Sequence, residues 1–434
     1  MRAAASRSTA NGMRERAALV GLFSTASRQF DPEHSLDELA GLADAAGAAV
    51  VLRVLQERKK PDPATFLGSG KIITLRASCD ELGADVVIFD NELSPAQLRN
   101  LEAALERKVL DRTQLILDIF ARRARTREGK LQVELAQLRY LMPRLVGSAA
   151  ALSRLGGGIG TRGPGETKLE TDRRRIRHRI SILSGEIDEV RRRRAQLRER
   201  RHKGSVPTVA LVGYTNAGKT TLFNSLTGDD AVASNALFVT LDPLVRRVKR
   251  PDRRELLVSD TVGFIERLPH SLVAAFRATL EEVAAADLLL HVIDASSHER
   301  ERHIEAVRTV LADVGAARVP SIEVFNKCDV LDEGARARVA AVYPGALCVS
   351  ALTGQGRDEL IAAIEGRLGL DTTTVKLEFD AANERDRERI SQLYRVGRIR
   401  SHTATDNTIS IEVDLPRRML DQVAAGASLK GRPA

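Results

Sequence analysis

The first third of the chain alternates short apolar runs with stretches whose apolar residues recur every three or four positions. Ala17 to Phe23, Val50-Val51-Leu52 and Asp85-Val86-Val87-Ile88-Phe89 read as buried strands, and Val109-Leu110 begins another. Between them Lys71 to Leu82 has helical spacing, and Ser94-Pro95 opens a helix carrying Leu98, Leu101 and Leu105. This alternation predicts a small α/β domain with a largely parallel sheet over residues 1–126. From residue 127 to 203 the period changes. Leu131, Leu135, Leu138, Leu141 and Leu145 follow a near-heptad seam, and Ile176, Ile180, Leu183, Ile187 and Val190 repeat it after a glycine-rich interruption. Two such segments predict an antiparallel helical hairpin. Residues 204–370 return to strand–helix alternation and predict a second α/β domain. The remaining 371–434 hold a strand (Val375 to Phe379), a helix with Ile390 and Leu393, and an alternating strand (Thr408 to Val413), a small α+β domain.

Composition narrows the class. With 434 residues, 43% hydrophobic and 29% charged, the chain suits a soluble protein of several domains and argues against fibrous, disordered and membrane classes. Its longest apolar stretch, Leu39 to Leu52, is broken by Asp44, so no membrane span is expected, and Ala17 to Phe23 is too short for a signal sequence. Three cysteines (Cys79, Cys328, Cys348) without C-x-x-C spacing imply neither a disulfide framework nor a zinc site, and a reducing cytoplasm is expected. The net charge is +9, of which a net +8 lies between Asp172 and Lys203, on the second arm of the hairpin. A polyanionic partner met there is the natural expectation. Only 3% of residues are aromatic, so phosphate and shape contacts with folded RNA suit the chain better than base stacking.

The chemistry lies in the third segment. An apolar strand, Pro207 to Val212, runs into Gly213-Tyr214-Thr215-Asn216-Ala217-Gly218-Lys219-Thr220-Thr221, which opens a helix. This G-x-x-x-x-G-K-[ST] pattern in strand–loop–helix context lets backbone N–H groups wrap a phosphate chain, with the helix N-terminus adding positive potential. Lys219 is expected to reach the β- and γ-phosphates, and the Thr220 hydroxyl to bind Mg²⁺. A later strand ends in Asp260-Thr261-Val262-Gly263, where Asp260 can hold the metal through water and the Gly263 N–H can meet the γ-phosphate. Between them, Phe238-Val239-Thr240-Leu241-Asp242 offers Thr240 as a second hydroxyl for the metal, one that would order its loop only while the γ-phosphate is present. The predicted metal set is therefore Thr220, Thr240 and Asp260.

Asn326-Lys327-Cys328-Asp329 follows another apolar strand. Its aspartate can accept from both N1–H and the 2-amino group of guanine, a donor pair that adenine lacks. Ser350-Ala351-Leu352 would give guanine O6 a backbone N–H. Five elements in this order predict a Ras-like P-loop GTPase domain that binds GTP and GDP. Phe264 follows Gly263 where many small GTPases carry a glutamine, so slow intrinsic hydrolysis is expected, with water oriented by another group or by a partner. Asn216 stands where some GTPases hold a K⁺ ion in place of an arginine finger. An asparagine that merely braces the loop reads equally well.

Residues 156–165 contain six glycines, and Gly158-x-Gly160-x-x-Gly163 matches a dinucleotide fingerprint in form only, since no strand precedes it. A hairpin tip able to press against RNA is the better reading. Gly68-Ser69-Gly70-Lys71 reads as a helix-entry turn rather than a second phosphate site. The stretch Gly163-Pro164-Gly165-Glu166-Thr167-Lys168-Leu169-Glu170-Thr171-Asp172-Arg173-Arg174 resembles the hallmark of the HflX family of translational GTPases. Thr240-Leu241-Asp242-Pro243 and Asp260-Thr261-Val262-Gly263-Phe264-Ile265 match that family's switch motifs, while Lys168 and the pair Glu266-Arg267 depart from its usual residues. The resemblance runs from about Ala17 into the C-terminal domain. It implies a factor that binds the large ribosomal subunit and its RNA, splits or rescues stalled ribosomes under stress, and hydrolyses GTP faster on the ribosome. A GTPase serving tRNA modification or subunit maturation, and a nucleotide-gated scaffold with negligible turnover, are the competing readings. A monomer is the default expectation.

Overall fold

The computed structural model describes residues 14–23, 31–147, 164–203, 206–231, 233, 237–249, 255–267, 280, 282–370, 372–405, 407–416 and 428–429. The hairpin tip, residues 156–163 included, lies outside them. The chain divides into two compact units. Of the described residues, the first unit holds those up to Ala195 together with 237–242 and Arg267, and the second holds the rest.

The first unit opens with four parallel strands in the order β2-β1-β3-β4, namely β1 Arg16–Phe23, β2 Ala49–Glu57, β3 Val86–Phe89 and β4 Lys108–Asp111. The helices α1 Pro32–Ala45, α2 Ser69–Leu82, α3 Pro95–Leu105 and α4 Arg112–Arg123 connect and flank them. Their ends follow from local chemistry. Asp31 caps α1, and Ser94 with Gln97 forms a full capping box on α3. Gly68 stands at the N-cap of α2, and its N–H donates to Gln56 Oε1. The helix α5 Arg127–Leu141 packs Leu131 and Leu135 against Leu183 and Ile187 of the 40-residue α6 Pro164–Lys203. The two seams seen in the sequence therefore meet as a hairpin. Arg179 and Arg194 of α6 pair with Glu134 and Glu128 of α5, so part of the basic surplus is answered within the hairpin.

In the second unit six strands run in the order β10-β9-β8-β5-β7-β6. They are β5 Thr208–Gly213, β6 Leu244–Lys249, β7 Glu255–Asp260, β8 Leu288–Asp294, β9 Ser321–Asn326 and β10 Leu347–Cys348. All pair in parallel except β6 against β7. The strand order reverses at β5, so the crevice beyond its carboxyl end is where such a sheet binds ligands. The helices α7 Lys219–Thr227, α8 Arg300–Asp313, α9 Glu333–Val342 and α10 Arg357–Arg367 accompany these strands. A core of Val209, Leu211, Leu222, Phe223, Val258, Leu290, Val292 and Val324 joins the sheet to α7. Beyond it, α11 Glu384–Val396 accompanies an antiparallel sheet ordered β12-β13-β11-β14. Its strands are β11 Thr372–Asp380, β12 Arg398–Thr405, β13 Thr408–Pro416 and β14 Ser428–Leu429. Among the described residues no helix is long and apolar enough to cross a membrane.

His291 on β8 is buried with 4% of its surface exposed, and burial, aided by Arg308, pushes its imidazole down to about 4. The unfolded chain takes up a proton near 6.5, whereas the folded chain waits until about 4. Stability of the second unit is therefore fully present above 6.5 and expected to fall toward pH 4, by up to about 3 kcal/mol. Denaturant unfolding between those values checks this. His291→Leu should flatten the slope across the same window.

Candidate functional site

The phosphate loop leaves β5 at Gly213. A Cβ there would lie 2.2 Å from the Val292 carbonyl oxygen of the neighbouring strand. Gly213→Ala is expected to lower the stability of the second unit by about 2–4 kcal/mol, because neither backbone can move aside. An unchanged thermal midpoint would contradict that close packing. Gly218 adopts φ +89°, and a Cβ on it would meet Asn326 Nδ2 at 2.2 Å. Asn216 is exposed, with φ +60°.

Lys219 is buried at the N-terminus of α7, where its Nζ donates to the carbonyls of Gly213 (3.1 Å) and Tyr214 (2.7 Å). Burial pushes its ammonium down to about 8, against the opposing pull of Asp260. The Thr220 hydroxyl donates to Asp260 Oδ2 at 2.8 Å, and Asp260 is fully buried at the end of β7. A hydroxyl and a carboxylate so placed are two hard oxygen donors of the kind Mg²⁺ takes. Thr261 donates to the Leu211 carbonyl at 2.6 Å, which fixes the turn after β7 to β5. Val262 is buried in that turn. A Cβ on Gly263 would sit 2.8 Å from Thr215 Cγ2 and 3.1 Å from Lys219 Nζ, so only glycine lets this backbone pass beside the lysine. Thr221 lies one residue further into α7, half-buried.

Phe264 explains itself structurally. Its side chain is fully buried, its N–H donates to Gly213 O (3.1 Å), and its carbonyl accepts from Thr215 N (2.7 Å). It closes a bridge between Tyr214 and the turn, a role for an apolar wedge rather than for an amide reaching water. Tyr214 also stacks on His303 at 3.8 Å and accepts the Glu266 N–H on its hydroxyl.

Asn326, at the end of β9, links three loops. Its Nδ2 donates to the Ala217 carbonyl in the phosphate loop, and its Oδ1 accepts from Ala351 N, both at 2.9 Å. Lys327 holds φ +63° and pairs with Asp294 at 2.7 Å, a partner at the end of β8 that no motif spacing announces. Cys328 turns inward, with its N–H on the Val349 carbonyl, while Asp329 faces solvent. Ser350 Oγ accepts from Thr353 N, and Leu352 is 80% exposed at the tip.

Residues 237–242 belong to the first unit. There Phe238 (φ +55°) meets Phe120 edge-on at 4.8 Å, Leu241 is buried, and Val239 and Thr240 are half-buried. The Asp242 carboxylate accepts from the N–H groups of Arg125 and Thr126 (2.8 Å each) and from the Thr126 hydroxyl (2.5 Å). It thereby anchors the first turn of α5. Arg267 donates to Asp90 at 2.9 Å and contacts Ser35 in the same unit. Sequence spacing could not reveal these two anchorages, because each joins residues more than a hundred positions apart.

A mostly parallel sheet that reverses at a lysine-bearing glycine loop, with the loops after β9 and β10 tied to it by one asparagine, defines a P-loop GTPase. Three family models match: "GTP-binding GTPase N-terminal" over residues 33–121, "GTP-binding GTPase Middle Region" over 123–201, and "50S ribosome-binding GTPase" over 208–327. The GTPase HflX of Caldanaerobacter subterraneus subsp. tengcongensis is 46% identical over 402 residues, 93% of this chain and 91% of that protein. The GTPase HflX of Escherichia coli is 45% identical over 95% of this chain and 97% of its own length. A GTP-binding protein of Sulfolobus solfataricus solved with GDP is 25% identical, covering 82% of this chain and 99% of that one with a TM-score of 0.43. The chain belongs to the HflX family of GTPases, and it binds and hydrolyses GTP.

Proposed function

We propose that this GTPase works on the large ribosomal subunit in the cytoplasm, holding it while GTP is bound and leaving after hydrolysis. The division of labour would be the four segments 1–126, 127–203, 204–370 and 371–434. The Asn326 bridge carries the nucleotide part of this reading, because it holds the phosphate loop and the two guanine loops as one surface. The basic helix α6 and the match to a family described as ribosome-binding support the partner.

In this reading Lys219 neutralises the β- and γ-phosphates, and the N–H groups of residues 213–221 and of Gly263 surround them. Asp329 accepts from guanine, and the segment Ser350-Ala351-Leu352 offers O6 a backbone N–H. Mg²⁺ would be held by Thr220, by Asp260 through water, and by Thr240 when the γ-phosphate is present. Bound there, it would offset the charge on the phosphate oxygens. Phe264 keeps water-ordering chemistry out of the position after Gly263, so the intrinsic rate is slow and ribosomes raise it. Asn216, exposed on the loop, is the candidate for K⁺, and equal hydrolysis in KCl and NaCl at matched ionic strength would remove that role.

Sucrose-gradient sedimentation with purified subunits tests the whole reading. GTP and a non-hydrolysable analogue should move the protein onto large subunits, and GDP should not. If no nucleotide does so, the ribosomal reading fails and a tRNA-modification or maturation partner takes its place.

A further inference from the structure

Two thiols lie against the base-reading loops, and nucleotide chemistry uses neither. Cys328 separates Lys327 from Asp329 and is 1% exposed. Cys348 ends β10, where its register places it opposite Phe325 of β9, and it is only partly buried. The Cys328 N–H donates to the carbonyl of Val349, the next residue after Cys348, at 3.1 Å. Both side chains pack in one cluster with Ile293, Phe325 and Val339, and the neighbouring Cys348 thiol adds to the rise in the Cys328 pKa. The Val349 N–H in turn donates to the Phe325 carbonyl at 2.8 Å, so the backbone beside Cys348 is held to the segment that carries Cys328 at two points. The third cysteine, Cys79, is buried in the core of the first unit.

We propose that Cys328 and Cys348 are a peroxide-sensitive dithiol whose reversible disulfide loosens guanine-nucleotide binding. Cys348, the more accessible, is the sulfur that meets the oxidant. It attacks one peroxide oxygen, the O–O bond breaks, and the other oxygen leaves as water, which makes Cys348 a sulfenic acid. Cys328 sulfur then displaces hydroxide from the Cys348 sulfur, and the Cys328 proton leaves with it as a second water. Two thiols are oxidised by two electrons, and one hydrogen peroxide is reduced to two waters. Burial pushes the Cys328 thiol up to about 12, which keeps it protonated and slow toward oxidant, the behaviour of a resolving partner.

Closing the bond brings the sulfurs to about 2 Å and removes the Cys328 S–H donor to the Phe325 carbonyl, now 3.1 Å away. Asp329 is the next residue, and an acceptor serving two guanine donors tolerates little displacement. This consequence rests on the reading of Asp329 as the guanine acceptor, whereas formation of the disulfide does not.

The test treats the full chain with hydrogen peroxide, quenches with catalase, and reads linked peptides by non-reducing mass spectrometry and affinity with a fluorescent GTP analogue. A 328–348 linkage and a rise in Kd of about tenfold or more are expected, both reversed by dithiothreitol. Cys348→Ala should bind nucleotide normally before treatment and show neither response, and Cys79→Ala should keep both. Oxidation of Cys348 to sulfinic acid without linkage would overturn the dithiol. A quantitative linkage with unchanged affinity would overturn the effect on binding. In that case guanine preference in Asp329→Asn reports separately on the acceptor.

Discussion

Lys219→Ala is expected to weaken GTP binding by about a hundred- to ten-thousandfold, the loss that follows removal of one partner from a buried charge interaction. The lysine is buried beneath the phosphate loop with its ammonium on the carbonyls of Gly213 and Tyr214. Those carbonyls carry no formal charge, and burial outweighs the attraction of Asp260 and pulls the lysine's proton affinity down to about 8. A phosphate chain would supply the missing negative charge. The alanine variant should therefore keep its fold, since removing a desolvated ammonium relieves a cost while truncation removes two hydrogen bonds. Calorimetric titration with GTP, beside thermal unfolding of the same sample, separates the two effects. Retained affinity in a folded variant would take the lysine out of the site.

Asp329→Asn is expected to lower GTP affinity by about a hundred- to a thousandfold and to raise affinity for xanthosine triphosphate. A carboxylate offers two acceptors to guanine N1–H and the 2-amino group. An amide offers one acceptor and one donor, which matches xanthine N1–H and its 2-oxo group. Asp329 faces solvent, so the penalty is set at the lower end of what a buried unmatched donor would exact. Competition binding with the two nucleotides checks it. The variant must leave the Asn326 bridge intact, because that side chain, not Asp329, holds the loops together. Unaltered guanine preference would move base recognition elsewhere.

What the sequence revealed depended on where each side chain points. The strand leading to Gly213, the two helical seams and the largely parallel character of the first sheet were legible because apolar residues repeat at the spacing their buried faces require. The helix α1 was not. Its buried Leu39 and Leu42 run on through Gly47 into the apolar start of β2, so two elements merged into one apolar stretch. Strand β12 left almost no trace because nearly all its side chains face solvent, and backbone pairing with β13 holds it. In the site, Phe264 was visible as a missing glutamine, but the reason lay in three dimensions, in its fully buried ring and its bridge to Tyr214. Asn326 and Asp242 were visible as motif members. Their hydrogen bonds to Ala217, Ala351 and the first turn of α5 were not, because chain folding alone creates those neighbours.

The single amide of Asn326 also has a kinetic consequence. If the loop around the phosphates and the loop beside the base are joined through one side chain, neither end of a nucleotide can let go alone. Departure should be one concerted event with a single exponential, and residence time should depend on how often that amide opens. Weakening it would shorten the lifetime of every guanine nucleotide alike, whatever the number of phosphates.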